Sequence, residues 1–248
     1  MKVLGVIPAR YSSTRFPGKP LVVIDGKSMI RRVYEQAMSC SELTEIIVAT
    51  DDHRIEKHVS SFGGKAMMTS GHHKSGTERC SEVCGKFHRN NQDFDVIVNI
   101  QGDEPYIHPG QVKQVISCFD KKETTIASLM KKISSSGELN NPNVVKVITD
   151  IMGRALYFSR AAIPYVRDKE TGTWLEHFSF FKHIGIYGYR PDILMKIVKL
   201  PPSGLETAES LEQLRWLDNG YEVFLKETTY ENLAIDAPDD LLELTNRE

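Results

Sequence analysis

Apolar residues in this chain fall into short unbroken runs, separated by stretches in which they recur every three or four positions. KVLGVI (2–7), EIIVAT (45–50), KAMMT (65–69) and DVIVNIQGDEP (95–105) are of the first kind. MIRRVYEQAM (29–38), DHRIEKHVSSFGG (52–64) and GTERCSEVCGKFHR (76–89) are of the second, with Gly63–Gly64 as the stop of the middle one. Strands that are apolar throughout are covered on both faces. Their alternation with helices therefore predicts a mostly parallel sheet between two helical layers, accounting for residues 1 to about 120.

The pattern then changes. TIASLM, NVVKVITD, GRALYFSR and HIGIYGYR read as strands with shorter connections, and residues 133–143 and 167–178 as polar excursions. Gly153 marks the turn of a hairpin between VVKVITD and RALYFS. GLETAESLEQLRWLDNG (204–220) predicts one helix with Leu211, Leu214 and Leu217 as its stripe and Asn219–Gly220 as its stop. YEVFLKET is a further strand, and APDDLLELTNRE (237–248) a final helix with proline in its first turn. The simplest architecture is a single α/β domain over 1–248. Residues 1 to about 120 form a nucleotide-binding core, about 121–235 a smaller mixed lobe, and 236–248 return to the core.

With 248 residues, 40% hydrophobic and 26% charged, the chain has the composition of an ordinary soluble domain. A net charge of −2 argues against a nucleic-acid surface, and no apolar run is long enough to span a membrane. The N-terminus lacks the pattern of a secretory signal, and the four cysteines form no Cys-x-x-Cys pair; both point to a cytoplasmic protein with free thiols.

Against this background VIPARYSSTRFPGKPL (6–21) stands out: a short strand delivers Arg10, Arg15 and Lys19 into a loop with no apolar face. Guanidinium and ammonium groups there suit phosphate oxygens, although a solvated surface loop has the same composition. The glycines of a Walker A loop and of G-x-G-x-x-G are missing, which excludes those nucleotide sites. NIQGDEP carries an apolar strand into Asp103 and Glu104, and NLAIDAPDDL carries another apolar run into Asp236. Either aspartate could cap a turn or helix. Together, at the carboxyl ends of strands where open α/β sheets bind ligands, they suit Mg²⁺ completed by phosphate oxygens. His72–His73 has the residue type of a metal pair, but adjacent side chains diverge and no third ligand is evident.

IPARYSSTRFPGKPL, SGTER, VNIQGDEP, NPNVVKV, ALYFSRAAIPY, HIGIYGYR, LEQLR and IDAPDDL, in this order over the whole chain, resemble the 3-deoxy-manno-octulosonate cytidylyltransferases. The resemblance implies a mostly parallel Rossmann-like nucleotidyltransferase sheet with a smaller mixed α/β lobe in the C-terminal half, about 121–235, for sugar binding and dimerisation. It also implies a Mg²⁺-dependent homodimer that joins CTP to the sugar acid Kdo, releasing pyrophosphate and supplying lipopolysaccharide synthesis. By motif, Arg10, Arg15 and Lys19 would grip the triphosphate, and Ser75, Gly76, Thr77 and Gln101 would line the cytidine pocket. Asp103 and Asp236 would hold the metal, and Arg160, His183, Tyr187, Glu212 and Gln213 would face the sugar, with Arg160 and His183 as cations for its carboxylate. Phe16 replaces the family's usual leucine, Ala237 replaces a threonine beside the metal aspartate, and the first half of GLETAESLEQLR diverges. The rival readings are a cytidylyltransferase for an 8-amino analogue of Kdo or for a sialic acid, and a non-catalytic nucleotide-binding module.

Overall fold

In the computed structural model, residues 1–12, 16–231, 235 and 240 are described. Strand β1 (Val3–Ala9) is buried almost throughout, since it lies between two parallel neighbours: β4 (Glu45–Thr50) and β6 (Val96–Asn99). Before β4 come the small ribbon β2 (Val23–Ile24) and β3 (Lys27–Ser28) and helix α1 (Met29–Met38). Helix α2 (His53–Ser61), strand β5 (Ala66–Met68) and helix α3 (Gly76–Arg89) follow β4, and α4 (Pro109–Ser117) follows β6. On α1 the buried Ile30, Val33, Tyr34 and Ala37 recur at helical spacing, and Ser28 caps the first turn by accepting from Arg31 N.

The second half supplies β7 (Ile126–Lys132), α5 (Ser136–Asn140), β8 (Lys146–Thr149), β9 (Ala155–Ser159) and α6 (Trp174–His177). It ends with β10 (Phe181–Tyr189), α7 (Pro191–Ile197), α8 (Gly204–Glu209), α9 (Glu212–Asp218) and β11 (Val223–Glu227). These strands build no sheet of their own. The order β11-β7-β10-β6-β1-β4-β5 is continuous, with only the β8–β9 hairpin branching off β10. Within that row β10 alone runs against its neighbours. Side chains alternate between two cores: Val3 and Ile7 of β1 pack toward α1, α2 and α4, while Leu4 and Val6 pack toward α3, α7 and α9. Each such fully buried aliphatic side chain contributes roughly 1.5–3 kcal/mol.

The predicted hairpin is present, with Gly153 at φ +81 in its turn. Two expectations change. The DVIVNIQGDEP strand ends at Asn99 because the chain then presses against β1: a Cβ on Gly102 would sit 2.5 Å from the Pro8 carbonyl oxygen. The helix predicted over 204–220 is two helices, broken at Ser210 in the left-handed region (φ 53). α8 buries nothing, whereas α9 buries Gln213, Leu214 and Trp216. The break also frees the Glu209 carbonyl, which a continuous helix would commit to an amide four residues on. The final predicted helix lies outside the described residues, apart from Asp240. Among the described residues no helix is long and apolar enough to cross a membrane.

Candidate active site

At the carboxyl ends of β1 and β6 lies a cavity of about 250 Å³, and Arg10, Lys19, Ser75, Gly76, Gln101 and Asp103 all line it. The fold explains the convergence. Arg10 follows β1, Gln101 and Asp103 follow β6, and Ser75–Gly76 form the N-terminus of α3 between them. Ser75 caps that 14-residue helix by accepting from Glu78 N at 3.2 Å, so the positive end of the helix faces the cavity. Gly18, at φ +73, turns the chain so that Lys19 points back toward Asp103.

Lys19 Nζ donates to Asp103 Oδ2 and to the Ile235 carbonyl, each at 2.8 Å, while Ile235 N donates to the Asp103 carbonyl at 3.0 Å. The chain is thus stitched to Asp103 at the residue just before Asp236. Asp236 itself and Arg15 lie outside the described residues. Two oxygens, one of them a carboxylate, already converge on a cation here.

Arg79 and Lys74 also line this cavity, and sequence reasoning missed both. Arg79 is only 4% exposed; its Nη2 donates to Asp51 Oδ2 at 2.8 Å and its Nη1 to Thr69 Oγ1 at 2.7 Å. The available signal was Asp51, another aspartate directly after an apolar strand. His73 is engaged with a carboxylate: its Nε2 lies 2.5 Å from Glu82 Oε2. Burial alone would raise the Glu82 pKa, but Lys86, the Ser70 amide and His73 outweigh it and hold the carboxyl at about 2. Among the described residues no three metal-ligating side chains cluster.

Thr77 does not line the cavity. It is 2% exposed, and its Oγ1 donates to Glu212 Oε2 at 2.8 Å, because the second residue past the cap faces α9. Ser75 Oγ donates to the other Glu212 oxygen at 3.1 Å. Burial raises the Glu212 pKa, with the Thr77 and Ser75 hydrogen bonds acting against it. Glu212 borders a second depression of about 560 Å³, whose rim shares Lys74 and Ser75 with the first.

The residues expected on the sugar side, His183 and Tyr187 of β10, Gln213 of α9 and Arg160 just past β9, do not line the first cavity. Gln101, which does, reaches β10 by donating from Nε2 to the Gly185 carbonyl at 2.7 Å, where the strand bulges between Ile184 and Tyr187. Ser128 Oγ donates across the bulge to the Ile186 and Ile184 carbonyls (2.8 and 3.0 Å) and lies 2.9 Å from His183 Nε2. A hydroxyl has one proton, so with that proton on a carbonyl His183 must donate from Nε2, leaving Nδ1 as acceptor. Burial pushes the His183 pKa down to about 3, although the residue as a whole keeps part of its surface open. The expectation of a cationic His183 is therefore corrected: packing against Phe158 and Tyr187 removes the water that a charged ring needs. Tyr187 is 7% exposed and its hydroxyl has no hydrogen-bond partner among the described residues. Gln213 is likewise buried. Arg160 is held at three points: its amide donates to Glu209 Oε2 (2.9 Å), its Nε to the Glu209 carbonyl (2.7 Å) and its Nη1 to the Pro142 carbonyl (3.0 Å).

The profile of the cytidylyltransferase family matches residues 4–228. The 3-deoxy-manno-octulosonate cytidylyltransferase of Cytophaga hutchinsonii is 51% identical over 247 residues, covering 99% of this chain and 97% of that protein. Its counterpart in Parabacteroides distasonis is 51% identical over 245 residues, covering 97% and 96%. A solved structure of CMP:2-keto-3-deoxy-manno-octonic acid synthetase complexed with CTP superimposes with a TM-score of 0.90 at 42% identity, covering 100% of this chain and 98% of that one.

Proposed function

From the premise that this chain belongs to the 3-deoxy-manno-octulosonate cytidylyltransferases, we propose how its residues divide the reaction between CTP and Kdo that yields CMP-Kdo and pyrophosphate. The observation that carries the proposal is the convergence of Arg10, Lys19, Ser75, Gln101 and Asp103 on one strand-end cavity.

Arg10, Arg15 and Lys19 bind the triphosphate, and the N-terminus of α3 adds backbone donors and a favourable dipole. Ser75, Gly76 and Gln101 border the cytidine, with Thr77 contributing indirectly by fixing Glu212. The oxygens that now hold the Lys19 ammonium have the donor chemistry for a hard cation, and Asp103 with Asp236 would hold Mg²⁺. Bound there, Mg²⁺ supplies neutralisation of phosphate charge and a lowered pKa for an attacking hydroxyl.

The anomeric hydroxyl of the sugar attacks the α-phosphorus in line, and pyrophosphate leaves from the opposite side. The protein acts mainly by positioning and by electrostatic stabilisation, without a covalent enzyme intermediate. Arg160 supplies the cation for the Kdo carboxylate. Neutral His183 accepts from a sugar hydroxyl through Nδ1, the Tyr187 hydroxyl offers a further partner, and Glu212 and Gln213 close the pocket from α9.

We assign the β8–β9 branch to sugar binding and to dimerisation, because Ile151, Met152, Leu156 and Tyr165 on or beside it are exposed. A cytoplasmic homodimer serving lipopolysaccharide synthesis fits this reading. Pyrophosphate release tests it: turnover is expected only with CTP, Kdo and Mg²⁺ together. Strong turnover with a sialic acid and none with Kdo overturns it, and a preference for the 8-amino analogue moves the assignment to that sugar.

A further inference from the structure

The NPNVVKV stretch has no part in the division of labour above, yet it contains a fully buried lysine. Lys146 is 0% exposed in β8, paired in register with Ser159 of β9 on one side and Lys182 of β10 on the other. Its ammonium donates to the Asn141 carbonyl at 2.9 Å and to the Val144 carbonyl at 2.6 Å. The same turn is closed by Val144 N on the Asn141 carbonyl (3.1 Å) and by Asn143 N on Asn141 Oδ1 (2.9 Å).

Between the two carbonyls that Lys146 caps lies the Pro142 carbonyl, which accepts from Arg160 Nη1 at 3.0 Å. The next residue, Val145, accepts from His183 N at 2.8 Å, so the segment is also tied to β10. Burial lowers the Lys146 pKa, with the Arg160 charge as the next cause and Glu209 opposing. A cation is costly at such a point unless its donors are used, and here two of the three are spent on backbone carbonyls.

Resting on the reading of Arg160 as the sugar-acid cation, we infer that Lys146 is a positioning residue for the reaction. It closes the 141–144 turn from inside, so that the Pro142 carbonyl holds the Arg160 guanidinium in the orientation that receives the sugar carboxylate. An apolar side chain at 146 takes the donor from the Val144 carbonyl and leaves the Asn141 carbonyl with the Val144 amide alone. The turn must then relax toward water, and the Pro142 anchor moves with it.

The test combines kinetics with a double-mutant cycle on the full chain. Lys146→Met is expected to raise KM for Kdo roughly tenfold, the scale of one misplaced charge-assisted hydrogen bond, with CTP affinity in calorimetric titration changed less than about twofold. Lys146→Arg, which keeps donors and charge, should recover most of the loss. In an Arg160→Ala background Lys146→Met should add little, because it acts through Arg160. If Lys146→Met does not fold, Lys146→Gln carries the same measurements, since its amide keeps two donor hydrogens on a shorter stem. An unchanged KM for Kdo in the folded variant, or a full additional loss on top of Arg160→Ala, overturns the inference. Absence of Kdo-dependent pyrophosphate release in the wild type would instead overturn the functional reading beneath it.

Discussion

The proposed nucleotide side and the proposed sugar side of this site are built in opposite ways. On the first, Arg10, Lys19 and Asp103 stand at or just past the ends of β1 and β6, partly exposed, in a cavity the sheet creates by ending there. On the second, Arg160 sits just past β9, His183 and Tyr187 on β10 and Glu212 on α9, and each is held by segments far away in sequence: Pro142 and Glu209, Ser128, Trp216, and Ser75 with Thr77. The first arrangement suits a highly charged ligand that brings its own electrostatics. The second suits a polyhydroxy acid, which must be recognised by a few fixed donors and acceptors.

The comparison predicts different failures on the two sides. The largest effect belongs to the proposed metal end of the nucleotide side. Asp103→Asn is expected to cut turnover by about 10²–10³, and Asp103→Asn with Asp236→Asn to be little worse, because residues acting as a unit are not additive. Near-normal turnover in either single variant would remove that aspartate from the reaction.

Next comes the division between the sides. Arg160→Ala should lower kcat/KM for Kdo by about ten- to a hundredfold while leaving CTP binding nearly intact. Lys19→Ala should weaken CTP binding with no sugar present. If calorimetry shows CTP lost equally in both variants, the two sides are not separate.

A smaller effect tests the buried, neutral character of the sugar side. The His183 pKa in the folded chain is about 3, below its ordinary value near 6.5. The unfolded chain therefore takes up the proton first, and the stability due to neutral His183 is present above pH 6.5 and lost as the pH falls toward 3. Between pH 6.5 and 5 the wild type should lose up to about 2 kcal/mol more than His183→Gln, at most about 1.4 kcal/mol per pH unit. Parallel denaturation curves for the two proteins across that range would show that His183 titrates as a solvated ring.

The smallest effect is at the helix break. Ser210 carries φ 53, so Ser210→Gly should raise stability by a few tenths of a kcal/mol and keep the Glu209 contacts to Ser159 and Arg160. A loss of stability there would mean that the serine side chain, and not the backbone angle, holds the break.

Local pattern was enough for much of this protein. Helix α1 occupies the residues whose apolar spacing predicts it, β1 and β4 follow their apolar runs, and Gly153 turns the hairpin as its sequence implies. That Asp103, Arg10 and Lys19 line one cavity was legible because strand ends in an open α/β sheet are where charge can gather without being buried. The sequence of α8–α9 reads as one helix, since nothing local marks Ser210 as left-handed; Glu209 is drawn away from the helix by Arg160 and Ser159, some 50 residues earlier. Nothing in the helical pattern of α3 singles out Arg79; the residue after β4, Asp51, is brought beside it only by the fold. His183 reads as a cation until Phe158, Tyr187 and Ser128 enclose it. Periodicity, turns and strand-end charge depend on neighbours a few residues apart, and the chain carries them wherever it goes. Charge state, hydrogen-bond partners and the orientation of Arg160 depend on which distant backbone is brought alongside and how much water it displaces, and only the packed sheet decides that.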